Sequence, residues 1–218
     1  NLSESDDTNI LKQALSSSSS TINVHHAGTA MRFLTAYFAA SDGSEIILSG
    51  SARMHQRPIK ILVDALRDLG AHIEYLEQEG YPPIKIFGKK LNGGSVHFKA
   101  NVSSQYITAL MLIAPSLQKG LSFTLGGEVT SRPYIKMTLS ILRKLGVDVS
   151  MVDNSIQIEP KLTVDPVSIM VESDWSSASY FYSLIALSKQ ATVTLHNYFK
   201  DSLQGDSALV SIYRTLGV

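Results

Sequence analysis

An arginine stands in an unusual place near the start of the chain, within the stretch HHAGTAMRFLTAYFAA at residues 25–40. After the two histidines almost every side chain is apolar or small, which is typical of a helix buried on all sides, and Gly28 and Thr29 open it. A guanidinium there needs a partner, because an unpaired buried charge costs several kcal/mol. A buried carboxylate or a bound anion would serve. We favour a partner within the protein for Arg32 and a ligand for Arg53.

Small and polar residues collect at the predicted first turns of successive helices. They are Ala27-Gly28-Thr29, Arg53 to Arg57 before Pro58, Ser103-Ser104-Gln105, Ser131 before Pro133, and Asp174 to Ser177. Helix capping by Ser, Thr and Asp, and the preference of Pro for first turns, explain about half of these sites. Capping needs neither a glutamine nor two arginines. Free helix-start amides and guanidinium groups both bind phosphate or carboxylate, so the sequence predicts an anion site where equivalent helix starts converge.

Other kinds of chemistry find little support. His25 and His26 are adjacent, so in an extended chain they point to opposite faces, and no HExxH motif accompanies them. We therefore predict neither a metal site nor a cofactor. The sequence contains no Gly-x-Gly-x-x-Gly, no Walker loop and no G-x-S-x-G, which disfavours nucleotide binding by those devices and serine hydrolase chemistry.

The charge balance points to small ligands. The chain of 218 residues carries 19 Lys and Arg against 19 Asp and Glu, without a block of one sign. This excludes the basic surfaces that bind nucleic acid or membranes. Charged residues make up 17% of the chain, below the roughly 25% of average domains. The chain has no cysteine and no apolar run of membrane-spanning length, so we expect a cytoplasmic protein.

The elements that position these residues recur along the chain. Amphipathic helices end in Leu-Gly at 69–70, 145–146 and 216–217, and a more apolar helix followed by a strand precedes each of them. With the short β-branched stretches between them, the repeat is βαβαββ, an α/β arrangement. In the third copy we predict strands within VSIMVES at 167–173 and ATVTLHN at 191–197. Because the chain starts and stops within a repeat, we expect a piece of a longer protein, with one lobe at 1–170 and the beginning of a second at 171–218.

Seven ordered motifs identify the chain as a member of a known family. AGTAMRFL, RMHQRPI, YLEQEGYPP, SSQYITALMLIAP, SRPYIKMTL, ESDWSSASYF and QGD resemble the EPSP synthases, the 3-phosphoshikimate 1-carboxyvinyltransferases, in this order. The resemblance implies a two-lobed enolpyruvyl transferase, an inside-out α/β barrel in which helix starts face the cleft. It also implies transfer of the enolpyruvyl group of phosphoenolpyruvate to the 5-hydroxyl of shikimate 3-phosphate, with release of phosphate, in aromatic amino-acid biosynthesis.

The resemblance also implies roles for individual residues. Contacts with shikimate 3-phosphate fall on Ser103, Ser104, Ser131 and Tyr134. Gln105 contacts both substrates, and Arg53 binds phosphoenolpyruvate. Gly28 leaves room beside phosphoenolpyruvate because it has no side chain. Thr29 and Arg32 support that pocket. For Asp174 we expect a helix cap rather than a catalytic role.

The chain departs from the family pattern in ways that limit its expected activity. His26 stands where the family commonly has an asparagine. No residue here matches the family's acid/base carboxylates, which lie in the second lobe, so we assign no catalytic residue and expect the 218 residues alone to be inactive. We expect the protein to be a monomer. Two alternatives remain, a UDP-N-acetylglucosamine enolpyruvyl transferase and a non-catalytic module that binds an anionic metabolite. The SSQ and SRPY motifs favour shikimate 3-phosphate over the nucleotide sugar.

Overall fold

Two four-stranded sheets each carry one complete copy of the repeat. A computed structural model of the chain describes residues 2–98, 103–127 and 132–218. Helix α1 (Asp6–Ser16) precedes the first copy. The first copy consists of β1 (Thr21–Asn23), α2 (Gly28–Ala40), β2 (Glu45–Ser49), α3 (Lys60–Asp68), β3 (His72–Tyr75) and β4 (Ile84–Phe87). The second consists of β5 (Gly94–Phe98), α4 (Ser104–Ile113), β6 (Leu121–Leu125), α5 (Arg132–Lys144), β7 (Val149–Val152) and β8 (Ser155–Ile158).

The two sheets share one topology. Their strand orders are β1-β2-β4-β3 and β5-β6-β8-β7. In each sheet the first two strands are parallel, with Thr21 opposite Ile47 and Gly94 opposite Leu121, and the remaining pairs are antiparallel. Parallel neighbours need a crossover connection, which α2 and α4 provide. The predicted βαβαββ repeat is confirmed for these two copies.

One hydrophobic core runs through both copies. It includes Leu34 of α2 and Leu110 of α4, each fully buried, and α2 and α4 pack against each other. Burial of one such leucine contributes about 1.5–3 kcal/mol. The amphipathic helices α3 and α5 end as predicted, because Gly70 and Gly146 adopt left-handed φ angles of +98° and +74°. The pairing of α2 with α4 matters for function because both helices begin in the motifs singled out above.

The third copy is helical in part and lacks its strands. Helices α6 (Trp175–Leu187) and α7 (Leu209–Thr215) are present, and Trp175, Ala178 and Leu209 form a second, small core. The predicted strands at 167–173 and 191–197 are wrong: neither stretch pairs as a ladder, although one backbone hydrogen bond of 2.8 Å runs from Ser173 N to Asn197 O. A strand is stable only beside a neighbour that satisfies its backbone and covers its side chains, and both stretches are largely exposed.

No helix in the part of the chain that the model describes is long and apolar enough to cross a membrane.

Candidate functional site

The start of α2 is built around contact between a glycine and an arginine. Ala27 caps this helix without a side-chain hydrogen bond, so the first amides are not satisfied by a capping side chain. The guanidinium of Arg57 lies directly against Gly28: a Cβ placed on residue 28 would stand only 2.7 Å from Arg57 Cζ. Only glycine leaves room for the guanidinium at this point. The positive helix end and the cation therefore face the same place.

Arg32 is buried one turn further along α2, with 5% of its surface exposed. Its Nη1 donates a 2.8 Å hydrogen bond to the carbonyl oxygen of Gly28, and its Cζ lies 5.9 Å from the ring centroid of Tyr106. Burial lowers the pKa of Arg32; Tyr106 opposes this shift and the nearby Arg57 adds to it. Among residues 2–98, 103–127 and 132–218, no carboxylate lies within 4.0 Å of Arg32. Among the described residues its partners are thus the Gly28 carbonyl, the Met54 thioether, whose Sδ lies 4.0 Å from Nη1, and an aromatic ring.

The start of α4 meets the start of α2. Ser103 caps α4, its Oγ accepting a 3.3 Å hydrogen bond from Gln105 N, and Ser104 follows as the first helical residue. The Gln105 side chain crosses to the other helix, where Nε2 donates to Thr29 Oγ1 over 3.2 Å. Tyr106 Oη donates to the carbonyl oxygen of Pro58 over 2.6 Å, which ties α4 to the residue after Arg57. Two equivalent helix starts converge, as the sequence analysis expected.

Arg53 and Arg57 line one cavity beside these helix starts. The cavity has a volume of about 540 Å³, and its lining comprises His26, Ser51, Arg53, Met54, Gln56 and Arg57. Arg53 is exposed, whereas Arg57 is half-buried and touches Gly28. The sequence analysis included both residues in the segment Arg53 to Arg57 and assigned the ligand contact to Arg53.

The remaining predicted residues lie around α5. Ser131 falls outside the described residues. Tyr134 lies in the first turn of α5 and is 43% exposed. Its helix contacts α4 through Thr108 and Thr138, whose Oγ1 atoms are 3.4 Å apart. Tyr134 therefore lies on the helix that packs next to the helix of Gln105.

The start of α6 lies close to the start of α5. A Cβ on Gly205, in the QGD motif, would stand 3.3 Å from Pro133 Cγ, so this motif packs against the first turn of α5. Asp174 caps α6 by accepting a 3.0 Å hydrogen bond from Ser176 N, and the predicted capping role is confirmed. The QGD motif also contacts α6, because Ser176 Oγ donates a hydrogen bond to Asp206 Oδ2.

Glu172 holds the α6 region together and was missed in the sequence analysis. Its carboxylate accepts hydrogen bonds from Phe199 N at 2.8 Å, Trp175 Nε1 at 2.7 Å and Ser202 Oγ at 2.8 Å. Burial alone would raise the pKa of Glu172, but these donors together with Gln204 outweigh it and lower that pKa. No local motif marks the role, because its donors lie up to 32 residues away in sequence.

The two adjacent histidines face different parts of the molecule. His25 lines a groove against α1 and β1, while His26 lines the cavity of Arg53 and Arg57. Within the described ranges, no three His, Asp or Glu side chains are grouped closely enough to hold a metal ion.

Comparison with known proteins gives a consistent result. The family model described as EPSP synthase (3-phosphoshikimate 1-carboxyvinyltransferase) matches residues 3–218. A relative from Bacteroides fragilis named 3-phosphoshikimate 1-carboxyvinyltransferase is 48% identical over 219 residues, which cover 100% of this chain and 53% of the relative. A relative of the same name from Colwellia psychrerythraea is 45% identical over 194 residues, 88% of this chain and 45% of the relative. The chain thus spans about half the length of the curated relatives it matches.

Solved structures agree in fold. The EPSP synthase from Acinetobacter baumannii superposes with a TM-score of 0.68 at 26% identity, covering 84% of this chain and 40% of the other. The enolpyruvyl transferase NikO from Streptomyces tendae has a TM-score of 0.52 at 16% identity, over 72% of this chain and 36% of the other, and supports the fold alone.

Proposed function

The chain belongs to the EPSP synthase family, and from that premise we propose that it supplies part of the site that transfers the enolpyruvyl group of phosphoenolpyruvate to shikimate 3-phosphate. In this reaction the 5-hydroxyl oxygen of shikimate 3-phosphate bonds to C2 of phosphoenolpyruvate, and inorganic phosphate leaves. Both substrates carry a phosphate and a carboxylate. The observation that carries the proposal is the convergence of the α2 and α4 starts, joined by the hydrogen bond from Gln105 to Thr29.

Phosphoenolpyruvate is the substrate that suits the start of α2. Uncapped amides and the Arg57 guanidinium offer hydrogen-bond donors and positive charge at one point. Arg57 is better placed for this role than Arg53, because Arg57 touches Gly28 and Arg53 is exposed. We therefore assign the main phosphoenolpyruvate contact to Arg57, with Arg53 further out in the same cavity. Arg32 supports the site by fixing the first carbonyl of α2.

Shikimate 3-phosphate then occupies the side of the site toward α4 and α5. The proposed contacts are Ser103, Ser104, Gln105, Ser131 and Tyr134. Hydroxyl and amide groups at helix starts bind phosphate without the need for a further cation. Gln105 lies between the two halves of the site because its side chain already reaches α2.

Two lobes account for the distribution of the cores. We propose that residues 1–170 form one lobe and that 171–218 begin a second. The large core ends at Ile158, the small core begins at Trp175, and the stretch between them is mostly exposed. The contact of Gly205 with Pro133 then lies at the junction.

The proposal is tested by amide NMR of the 218-residue chain titrated with each substrate. Shikimate 3-phosphate should shift the amides of residues 103–105, and phosphoenolpyruvate those of residues 28–30, even where the affinity is weak. UDP-N-acetylglucosamine is the control, because the rival enolpyruvyl transferase would bind it in place of shikimate 3-phosphate. Shifts with the nucleotide sugar alone, or none with either phosphorylated substrate, would refute the assignment.

Activity is measured on the whole protein as phosphate release. Release from phosphoenolpyruvate should require shikimate 3-phosphate, and a binding module without catalytic function would release none.

A further inference from the structure

His26 lines the cavity that contains Arg53 and Arg57. The chain turns at His25, which has a left-handed φ of +48° and whose N–H donates a 2.8 Å hydrogen bond to Asn23 Oδ1. This turn sends the side chain of His25 toward α1 and that of His26 toward Arg53 and Arg57. A left-handed conformation is uncommon for a residue with a side chain and is found most often where a turn is imposed by its surroundings.

The His26 ring is oriented in a way that suits both of its protonation states. His26 Nδ1 lies 3.0 Å from Ser51 Oγ, which also accepts a 3.3 Å hydrogen bond from Met54 N. A hydroxyl can donate to the neutral ring or accept from the protonated one. No other hydrogen bond of this ring occurs within the part of the chain that the model describes. Nε2 is therefore available to a molecule in the cavity.

The charges around this cavity are all positive. Arg53 and Arg57 are the charged residues that line it together with His26, and none of the described lining residues is acidic. Arg32 lies buried behind Gly28. His55, on the same segment as Arg53, faces elsewhere: its Nε2 lies 3.0 Å from Ser49 Oγ and its Nδ1 lies 3.8 Å from Glu77. A cavity lined by positive and no negative side chains favours an anionic ligand.

We propose that His26 is a binding residue for the anionic substrate at this site, and that the site takes up a proton on His26 when the anion binds. The inference rests on the proposed function and adds a pH dependence to it. With a phosphate or carboxylate bound, the protonated ring gains a favourable contact, so by linkage the affinity for the anion rises as the pH falls.

The test uses sulfate, because sulfate does not change its charge between about pH 8 and about pH 6, whereas a phosphate ester does. Calorimetric titrations of the 218-residue chain are run in buffers of different ionisation enthalpy, which report the number of protons taken up. We expect sulfate to bind about three- to fivefold more tightly at the lower pH, the size expected of one partly exposed ion pair, with net proton uptake.

His26→Asn should abolish most of both effects, because asparagine keeps a hydrogen-bonding side chain that never becomes charged. His55→Asn is the matched control and should behave as the unsubstituted chain does. Equal pH dependence in His26→Asn and the unsubstituted chain would overturn the inference, as would the absence of sulfate binding at the lower pH. The proposed function fails separately, if phosphoenolpyruvate and shikimate 3-phosphate leave the amides of the helix starts unshifted.

Discussion

Gly28→Ala is the substitution whose effect the geometry determines most directly. The new Cβ would stand 2.7 Å from Arg57 Cζ, whereas carbon atoms pack at about 3.5–4.0 Å, so the guanidinium must move by about 1 Å. The guanidinium ends a flexible side chain, and alanine is better than glycine in a helix by about 0.5–1 kcal/mol. We therefore expect the free energy of unfolding to stay within about 1 kcal/mol of its original value.

Gly28→Ala should lower the affinity for phosphoenolpyruvate, although it leaves the free energy of unfolding nearly unchanged. A hydrogen bond to a charged group is worth about 1.5–3 kcal/mol, and each 1.4 kcal/mol is a factor of about ten in affinity. Displacement of Arg57 from its position over α2 is thus expected to lower the affinity for phosphoenolpyruvate by about 10- to 100-fold. Calorimetric titration measures this effect. Shikimate 3-phosphate serves as the reference ligand and should change little.

A double-mutant cycle decides whether Arg57 transmits the effect. Arg57→Ala removes the guanidinium, so adding Gly28→Ala to it should have almost no further consequence for phosphoenolpyruvate. If the two substitutions instead weaken binding additively, the methyl group acts on the ligand directly and the role given to Arg57 is wrong.

Three further expectations concern other groups. Arg57→Lys should lower the affinity for phosphoenolpyruvate more than Arg53→Lys does, because the planar donor pair is lost while the charge remains. Arg57→Lys should also lower the affinity for phosphoenolpyruvate more than that for shikimate 3-phosphate. Competition titrations of the two variants measure these affinities. Tyr75→Phe should raise the free energy of unfolding by about 1 kcal/mol in urea titrations, because the buried Tyr75 hydroxyl lacks a hydrogen-bond partner among the described residues, and unchanged or lower stability would contradict this. The pKa of Glu172 is lowered by its donors, so its contribution to stability is full above the ordinary titration range of glutamate and is lost as the pH falls through the lowered value. Trp175 fluorescence should report loosening of the α6 region on acidification, and Glu172→Gln should remove that pH dependence.

Much of the fold could be predicted because its determinants are local. The periodicity of α3 and α5 and the glycines that end them, Gly70 and Gly146, are visible within windows of about fifteen residues. The strands predicted at 167–173 and 191–197 failed for the opposite reason. Their composition is suitable for strands, but a strand exists only where a neighbour pairs with it, and composition does not reveal the neighbour.

The candidate site was predictable in location and less so in its contacts. The types of residue at helix starts indicated the convergence that the bond between Gln105 and Thr29 confirms. Sequence alone could not show which of Arg53 and Arg57 touches Gly28. The two residues flank a short helical turn, Met54–Gln56, and no periodic pattern fixes the direction of their side chains. The buried carboxylate expected as the protein partner of Arg32 is not found among the described residues; the Gly28 carbonyl of its own helix accepts its hydrogen bond instead, which no charge pattern in the sequence predicts.

The two copies of the repeat use their equivalent helix starts differently, and this difference explains how a repeated fold produces an asymmetric site. In the second copy Ser103 supplies its own cap to α4. In the first copy Ala27 supplies none, and Gly28 brings a guanidinium to the same amides. A capped start has fewer free donors and binds through added hydroxyl and amide groups, whereas an uncapped start leaves its donors to a ligand. We therefore expect a bound anion to complete the start of α2, where it would take the place of the missing cap.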